Sequence, residues 1–165
     1  MRKLMIGAAL LLALAWAGWQ VVAKERLAAT GRPVLFELGT VDPRSLIQGD
    51  YMILGYRVAQ EVEARGGELP PRGELAVLVG PDGVARSARP YIAGGDLAAG
   101  EVRVDYHTGG WRIAVGPESF FFQEGEAETF AAARYAELRV SPEGEALLVA
   151  LRDERREVLG RPAVR

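Results

Sequence analysis

Residues 74–93 read ELAVLVGPDGVARSARPYIA, two runs of strand-forming residues on either side of Pro81-Asp82-Gly83. Proline presets φ for the first corner of a turn, and glycine tolerates the backbone that closes it, so the stretch reads as a β-hairpin. The pattern extends outward. EVRVDYH (101–107) alternates Val102, Val104 and Tyr106 with Arg103, Asp105 and His107, and WRIAV (111–115) alternates again after Thr108-Gly109-Gly110. AELRV (136–140) and ALLVALR (146–152) flank the turn SPEGE. Between these hairpins, FFFQEGEAETFAAARY (120–135) begins as a strand and turns into a short helix over Glu126 to Arg134. Upstream, PVLFELG (33–39) is a strand, AQEVEARGG (59–67) is a short helical turn, and Pro70-Pro71 excludes both element types. Seven or eight strands with little helix make the fold class mainly β, a small barrel-like or two-layer antiparallel domain with one or two short helices.

An N-terminal transmembrane helix precedes that domain. Leu4 to Ala23 carry no charge, and as a helix these twenty residues reach about 30 Å, the thickness of a bilayer's hydrocarbon core. KERLAATG (24–31) continues the helix for a turn or two, with Gly31 suited to the αL position that ends it. Trp16 and Trp19 fall near the outer end of the span, and Arg2 and Lys3 keep the N-terminus in the cytoplasm. A cleaved signal peptide is the competing reading, since Ala15-Trp16-Ala17 fits a small-x-small cleavage site. The apolar run continues past that site, beyond the roughly 7–15 residues of a signal core, which favours an uncleaved anchor. The organisation read from this is a membrane anchor over residues 1–30, an extracytoplasmic β-domain over 31–152, and a charged, frayed tail over 153–165. The expected location is the cytoplasmic membrane, single-pass, with the C-terminal domain outside.

Leaving out Arg2 and Lys3, 18 of the 20 basic residues face all 22 acidic ones, a net charge of −4. A mildly acidic domain does not neutralise nucleic-acid phosphates, so no nucleic acid partner is expected. There is no cysteine, which removes disulfides, thiol nucleophiles and thiolate metal sites. The four serines have one histidine to serve them, His107, which reads as an exposed residue in or beside a hairpin turn. The lysines are Lys3 and Lys24 alone, in or against the membrane. Glu118, Glu124, Glu126 and Glu128 surround Gly125 with a spacing unlike an EF-hand loop, so no metal and no cofactor is assigned. FFF (120–122) offers an exposed patch or a strand buried on alternate residues.

The stretch SLIQGDYMILGY, Ser45 to Tyr56, sets a Gly-Asp turn against large apolar residues on both alternating faces, the pattern of a strand covered on two sides. GDYMILGY resembles the pattern that names the GDYXXLXY family of bacterial and archaeal proteins, with Gly49, Asp50, Tyr51, Leu54 and Tyr56 in its fixed positions. DPRSLIQ resembles the family's approach to that motif, with Gln48 where a basic residue is often found. GPESFFFQEGEAETFAAARYAELRVSPEGEALLVAL (116–151) is similar to the family's second region, with Gln123 in place of a proline before Glu124. The resemblance spans most of residues 33–151. It implies a membrane-anchored exported protein of a kind often encoded beside or joined to a multi-pass membrane protein, which makes such a protein the candidate partner, and it carries no catalytic residue and no cofactor over to this chain.

Two readings of the motif stay open. In the structural one, Gly49 turns the loop, Asp50 bonds turn amides or pairs with Arg44, and Tyr51 and Tyr56 bring apolar area to opposite faces. In the other, Arg44, Asp50, Tyr51, Tyr56, Glu118 and Glu124 build a binding site. The function expected is a binding or accessory module for a neighbouring membrane protein. The alternative is a carboxylate-based cell-envelope hydrolase in which Asp50 and Arg44 meet one of Glu118, Glu124 or Glu128.

Overall fold

The computed structural model describes residues 2–39, 47–48, 51–67, 69–109 and 112–161. Helix α1 (Arg2–Thr30) is long and apolar enough to cross a membrane, and none of its most apolar stretch is buried in the protein. Its last turns are different. Leu27 is buried, and Arg139 reaches back to donate to the Gly31 carbonyl at 3.4 Å. The αL conformation expected of Gly31 is not adopted. Glycine is needed there for space, because a Cβ would stand 2.6 Å from the Leu27 carbonyl oxygen and 2.9 Å from Arg139 Cβ. The helix therefore passes into the first strand with its end pressed against the sheet.

The described strands are β1 (Arg32–Glu37), β2 (Ile47–Gln48), β3 (Tyr51–Ile53), β4 (Arg72–Val79), β5 (Ala85–Tyr91), β6 (Glu101–Gly109), β7 (Arg112–Ala114), β8 (Ser119–Phe121), β9 (Tyr135–Val140), β10 (Ala146–Arg152) and β11 (Val158–Leu159). Two short helices, α2 (Arg57–Ala64) and α3 (Ala127–Ala131), interrupt them. Pairing gives three antiparallel sheets, ordered β1-β9-β10-β11, β2-β3-β8 and β5-β4-β6-β7. Backbone bonds stitch them together: Leu35 N donates to Gly83 O (2.9 Å), Gly39 N to Gly55 O (2.7 Å) and Asp105 N to Gly144 O (2.8 Å). The result is a mainly β domain curled into a half-barrel, preceded by the apolar helix, as the alternating patterns predicted.

Inward-facing residues close the core. Val34 and Phe36 of β1, Leu75 and Val77 of β4, Val104 of β6 and Leu138 of β9 are fully buried, as period-two alternation requires. Each such side chain contributes about 1.5–3 kcal/mol by leaving water. Val58, Ala59 and Val62 of α2 are buried where the helix packs against β5, β7 and β1. Pro90 sits in β5, an edge strand, where a missing N–H costs no ladder bond.

Three further expectations are corrected. The run from Tyr51 to Tyr56 is not one strand covered on both faces. It leaves the sheet after Ile53, and the chain enters α2 at Arg57; Met52, Leu54 and Tyr56 are buried, while Tyr51 and Ile53 are half-buried. The cause is that β3 is sandwiched edge to edge by β2 and β8, but only one of its faces meets the core. Residues 153–161 do not fray. Asp153 accepts from Glu157 N through its side chain (2.8 Å), closing a turn in which Arg156 takes φ 67, and β11 pairs back onto β10. Arg156 then reaches Asp82 of the β4–β5 turn at 2.7 Å. Finally, His107 lies within β6 rather than in a turn, because the strand runs on to Gly109.

Candidate functional site

The motif acts first through its second half. Arg44, Gly49 and Asp50 lie outside the described residues, as does the meeting of Arg44 and Asp50 with a glutamate. Tyr51 is opposite Phe121 in the β3–β8 pair, with ring centroids 5.6 Å apart. Leu54 N donates to the Glu118 carbonyl at 2.8 Å. Tyr56 is buried, packs its ring edge-on against Phe36 at 5.9 Å, and donates its hydroxyl to the Pro117 carbonyl at 2.8 Å. Burial holds this phenol far above its ordinary pKa, so it stays neutral and donates.

Those bonds fix residues 117 and 118, and through them a side chain at the surface. Glu118 Oε1 stands 3.0 Å from His107 Nε2, both side chains about half exposed. Tyr51, Tyr56 and Glu118 are thus brought to one corner of the domain. Glu124 is not part of it; it is exposed on the next turn, where Gly125 takes φ 88 and Gln123 N donates to Glu126.

Beside this corner opens a polar groove of about 680 Å³. Arg72, Glu74, Asp105 and His107 line it from β4 and β6, Val115 and Gly116 from the segment held by Tyr56, and Glu145 and Ala146 from the β9–β10 hairpin. Register places Glu74 directly across from Asp105. The seam to the hairpin is made by Asp105 N on Gly144 O and by Arg103, which donates to the Pro142 carbonyl at 3.0 Å. Gly144 takes φ 105, and a Cβ there would stand 2.8 Å from Asp105 Oδ1. Arg103 lies 3.4 Å from Glu74, and Lys24 of α1 is paired with Glu145. The Asp105 carboxyl is pushed above its ordinary pKa, by desolvation first and then by Glu74, with Glu145 adding and Arg103 opposing. Among the described residues no group of three or more His, Cys, Asp or Glu is arranged to hold a metal ion.

The sequence model of a family described as GDYXXLXY protein matches residues 13–151. The chain belongs to the GDYXXLXY family. No curated protein and no solved structure matches it. Within this GDYXXLXY chain, the two recognisable regions are partners in space: Tyr51, Met52 and Ile53 pair with Phe121, Phe120 and Ser119. Leu54 and Tyr56 then bond the backbone just before β8.

Reading the residues in line did not single out Arg72, Glu74, Asp105 and Glu145. Asp105 does sit on the outward phase of the EVRVDYH alternation, which marks it as a surface residue. Its convergence with Glu74 and Glu145 depends on strand register and on the seam, neither of which leaves a local signal.

Proposed function

We propose that this GDYXXLXY chain is a single-pass, membrane-anchored binding module, with its β-domain on the extracytoplasmic side and the groove as its binding site. The observation that carries the reading is the position of the groove: Glu145 lines it and is paired with Lys24, the first charged residue after the apolar run of α1. A ligand in the groove is therefore met beside the anchor. Arg2 and Lys3 give the orientation, holding the N-terminus in the cytoplasm. Residues 1–30 anchor and residues 31–152 form the working domain, with a multi-pass membrane protein as partner. Affinity capture of the full chain from detergent-solubilised membranes tests the partnership. A specific multi-pass protein retained by the chain supports it, and recovery of the chain alone contradicts it.

A carboxylate-based envelope hydrolase is the second reading, favoured by Asp105. A carboxyl whose pKa is raised by desolvation and by Glu74 beside it has the makings of a general acid with a neighbouring base. Turnover of purified cell-envelope polymers that vanishes in Asp105→Asn would support this reading, and equal turnover in both proteins would remove it.

A further inference from the structure

Helix α1 does not hand the domain over to a free stalk. It runs unbroken from Arg2 to Thr30, and its last turns pack on β9 and β10. The contacts fall in order along it. Gln20, Val21, Lys24 and Glu25 line a hollow of about 320 Å³ with Leu147 of β10, and Lys24 is paired with Glu145 just before that strand. Leu27 is then buried, and Gly31 lies against Arg139 of β9, the register partner of Leu147. Arg139 alternates with the core residue Leu138, so it and Leu147 share the outer face of the sheet. The helix is held against that face at two places, β10 first and β9 last.

This order fixes the height of the β9–β10 hairpin. By length, the run from Leu4 to Ala23 fills the hydrocarbon core of about 30 Å, which puts its outer edge at Ala23. Leu147, at the level of Val21, then stands just inside that edge. If Trp19 marks the edge instead, because its ring favours the interface, Lys24 lies about 7.5 Å beyond it. A headgroup layer is about 5–7.5 Å thick. Both limits leave the hairpin among lipid headgroups. The ion pair suits that place, since Lys24 neutralises the carboxylate that Glu145 brings to the lipid boundary.

We propose that the β9–β10 hairpin, residues 141–147, is a lipid-contact surface that seats the domain on the bilayer. Phospholipid headgroups fill the hollow between α1 and Leu147, and the docked end of α1 holds the hairpin at that depth. This rests on α1 spanning the bilayer, and it adds where the domain stands.

The chain has no cysteine, so single cysteines can carry a fluorophore on the full chain in phosphatidylcholine nanodiscs. The positions are Leu12→Cys in mid-span, Val22→Cys at its outer end, Glu143→Cys and Leu147→Cys in the hairpin, and Ala64→Cys on α2. Ala64 is exposed, and α2 packs on β1, the strand that α1 reaches last. Phosphatidylcholine with a nitroxide on its headgroup is expected to quench Val22, Glu143 and Leu147 alike and to spare Ala64. A nitroxide deep in the acyl chain is expected to quench Leu12. Hairpin labels that behave like Ala64, with Leu12 quenched, overturn the seat and leave the anchor. A quenched Glu143 beside an unquenched Leu147 overturns lipid as the occupant of the hollow. An unquenched Leu12 overturns the anchor and the seat together. A polar helical insert of seven residues after Ala23 raises everything beyond it by about 10 Å, more than the headgroup layer. It is expected to abolish quenching at Glu143 and Leu147 and to leave Leu12 and Val22 unchanged. Hairpin quenching that survives the insert overturns the role of the docked helix.

Discussion

Replacing Tyr56 by Phe removes one hydroxyl and keeps the ring that packs on Phe36, so it isolates the bond from the motif to the Pro117 carbonyl. Tyr56 is 2% exposed, so water does not easily replace that donor. The net value of a neutral hydrogen bond is about 0.5–1.5 kcal/mol, and an acceptor left unpaired on the protein side raises the loss toward about 1–3 kcal/mol. Pro117 is half-buried, which places the expected cost between these limits, at about 1–2 kcal/mol. For a chain of this size that is a fall in Tm of roughly 3–6 °C. Tyr56→Ala, which also empties the ring site, should cost about 3–5 kcal/mol. Thermal melts of the full chain in detergent, followed by circular dichroism in the β region, read both variants. A Phe variant that melts with the wild type would refute the claim that the last tyrosine of the motif works by bonding residue 117.

Gly144→Ala forces φ 105 on a residue with a Cβ and drives that Cβ against Asp105; chemical denaturation should show a loss of about 1–3 kcal/mol. Glu137 is buried between Arg139 at 3.4 Å and Arg152 at 2.6 Å, so Glu137→Gln removes the negative charge that both arginines face and should cost about 1.5–3 kcal/mol in the same assay. Asp105 has a folded-state pKa above its unfolded value, so the folded protein holds this proton more tightly. Its contribution to stability is therefore lost as pH rises through the folded pKa. Asp105→Asn should melt at a higher temperature than the wild type near neutral pH, with the difference shrinking as the pH falls below the ordinary carboxylate range. A constant difference at every pH would show that Asp105 does not titrate as described.

What was legible in the sequence is what local chemistry encodes. Pro81-Asp82-Gly83 announces its hairpin because turn residues act within four positions, and Val102, Val104 and Tyr106 announce their buried face because alternation is a property of the strand itself. The strand through Tyr56 was over-extended for a related reason. Its apolar residues satisfy a two-sided strand and a strand-to-helix corner equally well, and only the bonds of Leu54 and Tyr56 to Glu118 and Pro117 distinguish them. Those bonds join segments far apart in the chain. The charged residues after Arg152 looked like a solvated tail because the partner that orders Arg156 is Asp82, a turn residue on another hairpin. The groove was hidden in the same way. Glu74, Asp105 and Glu145 are each unremarkable outward residues of their own strands or turns, and they become a site through the β4–β6 register and the seam at Gly144. Glu118 was singled out within the second region, but the histidine beside it was read as a turn.

The central claim is a division of labour: the motif is a buried corner that fixes the rim, and the neighbouring groove binds. Retention of a multi-pass membrane partner per folded molecule, measured side by side for Tyr56→Phe and Asp105→Asn with their melting temperatures, tests it most directly. The account predicts a crossed result, in which Tyr56→Phe loses stability but keeps its partner, and Asp105→Asn melts no lower than the wild type near neutral pH and loses its partner. Tyr56→Phe that melts like the wild type yet loses its partner would contradict it, because the motif itself would then be the site.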